Sequence, residues 1–246
     1  MLGLASGAGL TMAALTLRPN LVAIVPTQLL TLPTPMTPQT LLTPTPHPTN
    51  TPTLEPEALP TTPVTLTLQG ARDYARLGSA QAPVQIVVFA DPQCPFCKKP
   101  TEETERQLIE AYVKPGKAAL TYRHFLFLGP ESTTLANAME CAGIGGGREG
   151  FWRFHDYAFA HQFPENSGQA TTAQMSAWAK ATKLNLTQFN ACLSAAKGQS
   201  SLDLDNAAAQ SLRIQGTPIL YVNGRPLPGA LPFEYVKTVV EGMLGR

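Results

Sequence analysis

Two cysteines separated by two residues are the part of this sequence best suited to chemistry: Cys94-Pro95-Phe96-Cys97. They follow a continuous apolar run and stand where a helix is predicted to begin. The unpaired amides at a helix N-terminus favour a thiolate over a thiol, and in such settings cysteine pKa values fall from about 8.5 to roughly 3.5–7.5. The spacing also lets the second thiol attack a mixed disulfide formed on the first. We therefore predict that Cys94 is the exposed nucleophile and Cys97 the more buried resolving thiol.

The residues alone leave two other roles open for the cysteine pair. Zinc would require two further ligands at a matching spacing, and the remaining cysteines, Cys141 and Cys192, each stand alone in the sequence. A purely structural disulfide between Cys94 and Cys97 is the other alternative. The sequence shows no Ser-His-Asp arrangement, phosphate-binding glycine loop or metal-binding carboxylate cluster. We therefore predict neither a metal ion nor a cofactor.

Alternating strand and helix patterns must position the pair. Val84–Ala90 is a continuous apolar run, typical of a buried central strand, and a helix is predicted after it at Cys94–Val113. Ala118–Phe125 and Ile219–Val222 predict two more central strands. The other predicted elements are strands at Val64–Leu68 and Arg225–Leu227, a hairpin turn at Asn223-Gly224, and helices at Ser132–Ile144, Glu149–Gln162, Thr172–Thr182, Thr187–Lys197, Ser200–Leu212 and Pro232–Leu244. This order predicts an α/β sheet domain interrupted by a helical block.

Composition divides the chain into three parts. Residues 1–25 are mostly apolar, and residues 26–63 hold 11 of the chain's 23 prolines together with 12 threonines. We expect the first part to be a signal peptide or a membrane anchor. The second should be an unfolded stalk, because proline removes amide donors and few apolar side chains remain to be buried. These features predict an extracytoplasmic protein, secreted or anchored at the cell envelope, whose folded domain spans residues 64–246.

Four segments together resemble a known family: VVFADPQCPFCKK around the cysteine pair, the helical block, FWRFHDYAF at Phe151–Phe159, and GTPILYVNG at Gly216–Gly224. The chain is similar there to the thioredoxin superfamily, and within it to the DsbA-like thiol:disulfide oxidoreductases. The resemblance implies a thioredoxin-like α/β fold with a helical subdomain inserted at about residues 129–213. It also implies that Pro218 is a cis-proline facing the cysteines, with Thr217 before it. Family members often carry His or Tyr between the cysteines, whereas Phe96 offers a thiolate neither a hydrogen bond nor a charge.

The same resemblance implies an enzyme that introduces disulfides into reduced exported proteins through Cys94 and Cys97. It further implies reoxidation by a quinone-linked membrane partner. We expect a monomer, because the stalk at residues 26–63 cannot fold into the dimerisation domain that isomerases of the superfamily carry. A reductase or isomerase of the same superfamily, and a non-catalytic surface module with this fold, are the alternatives. The net charge of +1 argues against nucleic acid as a partner.

The residues around these motifs carry smaller predictions. Cys141 and Cys192 fall in two different predicted helices, and an even cysteine count in an exported protein invites pairing. Some DsbA-like proteins are similar in carrying a second disulfide there. We therefore predict a structural disulfide between them, with two buried free thiols as the alternative. Asp91 is expected to form a turn rather than to relay protons to Cys97, and His155, within an aromatic stripe, to belong to the core.

Overall fold

The computed structural model describes residues 72–245. The apolar segment 1–25, the Thr/Pro-rich segment 26–63 and the predicted strand Val64–Leu68 lie outside the described residues, so the predictions made for them stay predictions. Within the described part, a five-stranded sheet forms the centre of the molecule, with the order β1-β3-β2-β4-β5. The strands are β1 (Arg76–Leu77), β2 (Val84–Ala90), β3 (Ala118–His124), β4 (Ile219–Val222) and β5 (Arg225–Pro228).

Strand β2 lies at the middle of this sheet and leads directly to the cysteine pair. It pairs in parallel with β3 and antiparallel with β4, and the two outer pairs, β1 with β3 and β4 with β5, are also antiparallel. Every residue of β2 except Gln85 is buried, which explains why its sequence is a continuous apolar run rather than an alternating one. Strand β1 was not predicted, because two residues are too few to show a pattern.

The helix that begins at the cysteine pair continues without interruption to Val113. Helix α1 (Pro95–Pro100) leads into a π-helical turn at Thr101–Glu105, then into α2 (Arg106–Leu108) and a second π-helical turn at Ile109–Val113. The remaining helices are α3 (Pro130–Ala160), α4 (Thr172–Ala181), α5 (Leu186–Ser194), α6 (Gln199–Ser211) and α7 (Phe233–Leu244). Helices α3 to α6 form an insertion between β3 and β4, in the place where the sequence predicted one.

Helix α3 is interrupted where the sequence predicted a break. Two helices, Ser132–Ile144 and Glu149–Gln162, were predicted on either side of a glycine loop. In the structure α3 consists of two helical parts that meet at a kink at Gly147, whose φ of 61° and ψ of −156° are not helical. Only glycine adopts such a conformation at little cost, and the bend therefore falls within the glycine run. The break between the two helical parts therefore falls where the sequence predicted it, and it takes the form of a kink.

The two faces of the sheet carry separate cores. Because successive strand residues point to opposite faces, Ile86 and Val88 of β2 belong to the larger core, which includes residues of α1, α3 and α7. Val87 and Phe89 belong to a smaller core on the other face, together with Ala209 of α6. The sheet is thus covered on both faces, and the insertion contributes to both cores.

A disulfide between Cys141 and Cys192 joins α3 to α5 inside the insertion. The S–S distance is 2.04 Å, the Cα atoms are 5.6 Å apart, and the bridge closes a loop with a sequence separation of 51. In the chain-entropy model a loop of this length corresponds to about 4 kcal/mol of stabilisation. Both residues are buried in apolar surroundings.

A buried ion cluster joins the insertion to the sheet. Glu140 of α3 lies 2.6 Å from Arg72 Nη2 and 3.2 Å from His124 Nε2. Asp205 of α6 lies 2.9 Å from Arg72 Nη1 and 2.7 Å from Arg123 Nε. Burial opposes ionisation of Glu140, but the hydrogen bond with His124 and the charge of Arg72 outweigh it and lower the pKa of the carboxyl. The two arginines thereby balance two buried carboxylates, and the cluster connects α3, α6 and β3.

Candidate active site

The turn between β2 and α1 is organised by the side chain of Asp91. This carboxylate is fully buried. Its Oδ1 accepts a hydrogen bond from the amide of Gln93 at 2.8 Å, and its Oδ2 accepts from the amides of Phe127 and Leu128 at 3.2 and 3.4 Å. The Asp91 carbonyl accepts from the amide of Cys94 at 2.9 Å. Asp91 is therefore the turn-forming residue that the sequence favoured, and both of its carboxylate oxygens are engaged by backbone amides.

The register of the sheet brings a second segment to the cysteine pair. Phe89 of β2 is paired with Ile219 of β4 in an antiparallel arrangement, so the residues that follow β2 lie beside the residues that precede β4. The Thr217–Pro218 peptide bond, just before β4, is cis. The Cys94 thiol donates to the Thr217 carbonyl at 3.4 Å. The structure thus places Thr217 against Cys94, and the peptide bond before Pro218 is cis.

Cys94 stands at the N-cap of α1, followed by Pro95 at the first helical position. Pro95 suits this position because a proline has no amide hydrogen to leave unpaired. Both cysteines are free thiols and both are buried, Cys94 with 4% of its surface exposed and Cys97 with none. The prediction that Cys94 is exposed is therefore wrong, because its thiol lies against Thr217 and is almost entirely buried. The order is as predicted, with Cys97 the deeper of the two.

The two thiols differ strongly in acidity. Hydrogen bonding with the Cys97 thiol lowers the pKa of Cys94 to about 6; burial opposes this, while the Thr217 side chain and the amides of Phe96 and Cys97 assist it. Burial raises the pKa of the Cys97 thiol, and the neighbouring Cys94 sulfur raises it further. At neutral pH the pair consequently carries its negative charge on Cys94, which is the arrangement needed for one attacking thiolate and one protonated partner.

The charged and aromatic neighbours of the pair do not contact either sulfur. Phe96 is 71% exposed and points away from the core. Lys98 donates to the carbonyl of Ala160 at 3.2 Å, and Lys99 lies 3.9 Å from Glu103 on an exposed part of the helix. The stabilisation of the Cys94 thiolate therefore comes from hydrogen bonds at the helix start and not from a neighbouring charged side chain.

A buried carboxylate lies two helical turns beyond Cys97, at Glu105. Glu105 accepts from the Thr101 hydroxyl at 3.1 Å and lies 4.0 Å from His155 Nε2. Burial raises its pKa. His155 is fully buried, as predicted for a core residue.

One residue that sequence reasoning missed contacts the nucleophile's own backbone. Gln162, just after α3, donates from Nε2 to the carbonyls of Pro92 and Cys94, each at 2.9 Å. Nearby, Gln93 donates to the Ser132 hydroxyl at 2.8 Å. Glutamine in a loop gives no sequence signal of such a role, because only the fold brings the insertion to the cysteine turn.

A cavity of about 640 Å³ opens beside the cis-proline. Its lining is mainly apolar and includes Leu212, Ile214 and Tyr221 as well as Thr217 and Pro218. A polypeptide that reaches Cys94 from this side would cross apolar surface.

Within residues 72–245, no group of three or more His, Cys, Asp or Glu side chains could hold a metal ion. No helix in the same range is long and apolar enough to cross a membrane.

Comparison with known proteins agrees with this geometry. A family model described as thioredoxin matches residues 72–242, so the chain belongs to the thioredoxin family. The "Probable disulfide bond formation protein D" of Bacillus cereus is 31% identical over 150 residues, 60% of this chain and 69% of that protein. Oxidised BdbD from Bacillus subtilis superposes with a TM-score of 0.67 at 25% identity, covering 75% of this chain and 96% of that chain. Wolbachia pipientis alpha-DsbA1 shares the fold, with a TM-score of 0.62 at 21% identity over 70% and 90% of the two chains.

The fold and these relatives define the class of protein. The chain is a thiol:disulfide oxidoreductase of the DsbA type. Both the resemblance stated from the sequence and the predicted thioredoxin-like α/β fold with a helical insertion are confirmed.

Proposed function

We propose that the protein introduces disulfides into reduced substrate proteins through Cys94 and Cys97. The observation that carries this proposal is the asymmetry of the two thiols: the pKa of Cys94 is lowered to about 6, whereas that of Cys97 is raised. A disulfide whose reduced form is stabilised in this way is a better oxidant. A substrate can reach only Cys94, because Cys97 is fully buried, and the lowered pKa of Cys94 makes it a good leaving thiolate when the oxidised substrate is released.

The reaction begins with the Cys94–Cys97 disulfide. A substrate thiolate attacks Cys94 Sγ, the bond between Cys94 and Cys97 breaks, and the Cys97 sulfur leaves with the electron pair. Cys97 then takes up a proton, since burial raises its pKa. A second substrate thiolate attacks the substrate sulfur of the mixed disulfide and releases Cys94 as a thiolate. The substrate loses two electrons and gains a disulfide, and the enzyme pair gains those two electrons.

Turnover requires an oxidant for the reduced pair, and we assign this role to a quinone-linked membrane partner, as the family resemblance implies. The assignment of compartment rests on the sequence. An apolar segment at residues 1–25 would export or anchor the chain, and a stalk at residues 26–63 would connect it to the domain. The disulfide between Cys141 and Cys192 supports an oxidising compartment. We propose an extracytoplasmic monomer acting on reduced exported proteins.

The proposal is tested with full-length protein and a reduced, unfolded substrate that carries several cysteines. Wild-type protein with an oxidised pair should transfer its disulfide stoichiometrically to the substrate. Reduced Cys97→Ala, incubated with a disulfide-bonded form of the same substrate, should accumulate mixed disulfides: the Cys94 thiolate attacks the substrate disulfide and releases a substrate thiolate, and the thiol that would resolve the product is gone. Cys94→Ala should form none and serves as the matched control. Equal trapping by the two variants would contradict the assigned roles, and efficient insulin reduction without substrate oxidation would favour a reductase.

A further inference from the structure

Gln162 is the side chain of the helical insertion that contacts the backbone on both sides of the nucleophile. Its Nε2 lies 2.9 Å from the Pro92 carbonyl oxygen and 2.9 Å from the Cys94 carbonyl oxygen. A glutamine amide nitrogen carries two hydrogens and no acceptor. One hydrogen can therefore go to each carbonyl, and because both partners are acceptors, the orientation of the amide group is determined by the contacts themselves.

These two carbonyls belong to the peptide groups that determine where the Cys94 side chain stands. The peptide between Pro92 and Gln93 is restrained at both ends. Gln162 donates to the Pro92 carbonyl, and the Gln93 amide donates to Asp91 Oδ1 at 2.8 Å. The peptide between Cys94 and Pro95 has no amide hydrogen. Only its carbonyl can be restrained, and Gln162 does so from outside the turn.

The Cys94 carbonyl has a second donor inside the turn, the amide of Cys97 at 3.0 Å. The same amide, together with that of Phe96, stabilises the Cys94 thiolate. A rotation of the Cys94–Pro95 peptide would therefore change the Cys94 ψ of 116° and move the sulfur relative to the amides that hydrogen-bond to it. By holding the Cys94 carbonyl, Gln162 therefore also holds the sulfur in position relative to these amides.

We propose that Gln162 is a positioning residue for Cys94: by clamping the carbonyls of Pro92 and Cys94 it keeps the sulfur directed at the first amides of α1. The inference rests on the proposed function, since it concerns the thiolate that performs the exchange. It assigns to the helical insertion a direct part in the reactivity of the cysteine pair, beyond covering the sheet.

The other groups around this turn act in different ways. Asp91 holds backbone amides, and Lys98 donates to the carbonyl of Ala160 at 3.2 Å. His161, next to Gln162, is exposed and contacts the carbonyl of Tyr157 through Nδ1 at 2.9 Å. None of these side chains donates to a carbonyl beside Cys94 in the hydrogen bonds of residues 72–245, so none of them replaces Gln162.

The test compares full-length variants with the Cys94–Cys97 pair reduced and the Cys141–Cys192 disulfide intact. Gln162→Met keeps the length of the side chain and removes both donors. The Cys94 sulfur would then be held less firmly against the amides that stabilise its thiolate, so the pKa of Cys94 should rise by about half a unit to one unit. The pKa is measured from thiolate absorbance and from the pH dependence of alkylation. Gln162→Glu should raise it further, because a carboxylate would face two carbonyl oxygens.

Two further variants separate positioning from a general loss of stability. Gln169→Met is the matched control, because Gln169 lies in the same loop and its amide bonds only to the Ser167 hydroxyl, at 3.2 Å; it should leave the pKa unchanged. Gln162→Lys keeps N–H donors on a long side chain and should hold the pKa at or below the wild-type value, even if Gln162→Met folds poorly.

The outcomes distinguish this inference from the proposed function. A wild-type Cys94 with a lowered pKa that does not move in Gln162→Met or Gln162→Glu would overturn the positioning role alone. A wild-type Cys94 with the pKa of an ordinary cysteine would overturn the proposed function, and the positioning role with it. A loss of thermal stability without a change in pKa would likewise reject positioning.

Discussion

The two cysteine pairs of this protein differ in what surrounds them and not in how deeply they are buried. Cys94 and Cys192 are each 4% exposed, and Cys97 and Cys141 are exposed by 1% or less. Cys141 and Cys192 lie within helices α3 and α5, among apolar side chains, and are joined to each other. Burial alone therefore does not decide whether a cysteine is reactive.

The difference is the set of polar groups at Cys94. This residue caps the N-terminus of a helix, next to the amides of Phe96 and Cys97, a second thiol and the cis-proline segment. Cys141 and Cys192 instead lie within their helices, and their sulfurs are joined to each other in the apolar core. The Cys94–Cys97 pair is therefore suited to thiol–disulfide exchange and the Cys141–Cys192 pair to stabilising the fold, and substitutions can separate these two roles.

The largest effect is expected for loss of the nucleophile. Cys94→Ser should reduce thiol–disulfide exchange to the uncatalysed rate, because a hydroxyl does not form the attacking thiolate. The double variant Cys141→Ala with Cys192→Ala should retain exchange within about twofold. It should instead lower the free energy of unfolding by about 2–5 kcal/mol, as loss of a native disulfide does. Exchange is measured with a dithiol peptide, and stability by denaturant unfolding.

These two variants are each other's control. If the double variant lost exchange in proportion to Cys94→Ser while remaining folded, the second pair would take part in the reaction. If it were as stable as wild type, the Cys141–Cys192 bridge would not have the stabilising role assigned to it.

The next largest effect should be a pH dependence of the unfolding free energy that arises from the Cys94–Cys97 pair alone. The pKa of Cys94 in the folded reduced protein is about 6, below the value of about 8.5 for an unfolded chain. A lowered pKa stabilises the folded state above the unfolded value, and this contribution is lost as the pH falls through the folded pKa. The reduced protein should therefore gain stability, on the order of 3 kcal/mol, between about pH 6 and pH 8.5.

The oxidised protein is the control for this dependence, because neither cysteine pair titrates in it. The difference between the unfolding free energies of the reduced and the oxidised protein should increase with pH over this window. Above it, the raised pKa of Cys97 acts in the opposite direction. A difference that stays constant from pH 6 to pH 8.5 would show that Cys94 is not acidic.

The smallest effect should follow from changing the residue between the cysteines. The Phe96 side chain is exposed and offers the thiolate no hydrogen bond or charge. Phe96→His would add a group that can be protonated near neutral pH, and it should lower the pKa of Cys94 by about half a unit to one unit. Alkylation rates as a function of pH report this shift, with Phe96→Leu as the uncharged control. A shift of equal size in Phe96→Leu would attribute it to packing.

Much of the fold could be predicted because its elements carry strong local patterns. Strand β2 and strand β4 are continuous apolar runs, and the helix after Cys94 begins with a proline at its first position. The glycine run correctly predicted where α3 is interrupted, at Gly147, but not that the interruption is a kink. The edge strand β1 has no pattern at two residues.

The active site could be predicted only as far as the local sequence carries the chemistry. The cysteine spacing and the helix start predicted which thiol is the deeper one. The burial of Cys94 depends on Thr217, which the β2–β4 register brings from far along the chain. Gln162 and Glu105 are ordinary polar residues in the sequence, and only the packing of the insertion and of the helix shows that they lie beside the turn and in the core.

The central claim, that Cys94 and Cys97 form an oxidising pair, is tested most directly by their reduction potential. Full-length protein is equilibrated with glutathione buffers, and the redox state of the pair is quantified by alkylation and mass. We predict a potential clearly less negative than that of thioredoxin, about −270 mV, because hydrogen bonds at the helix start stabilise the Cys94 thiolate. A potential equal to or more negative than that value would contradict the account and identify the protein as a reductase.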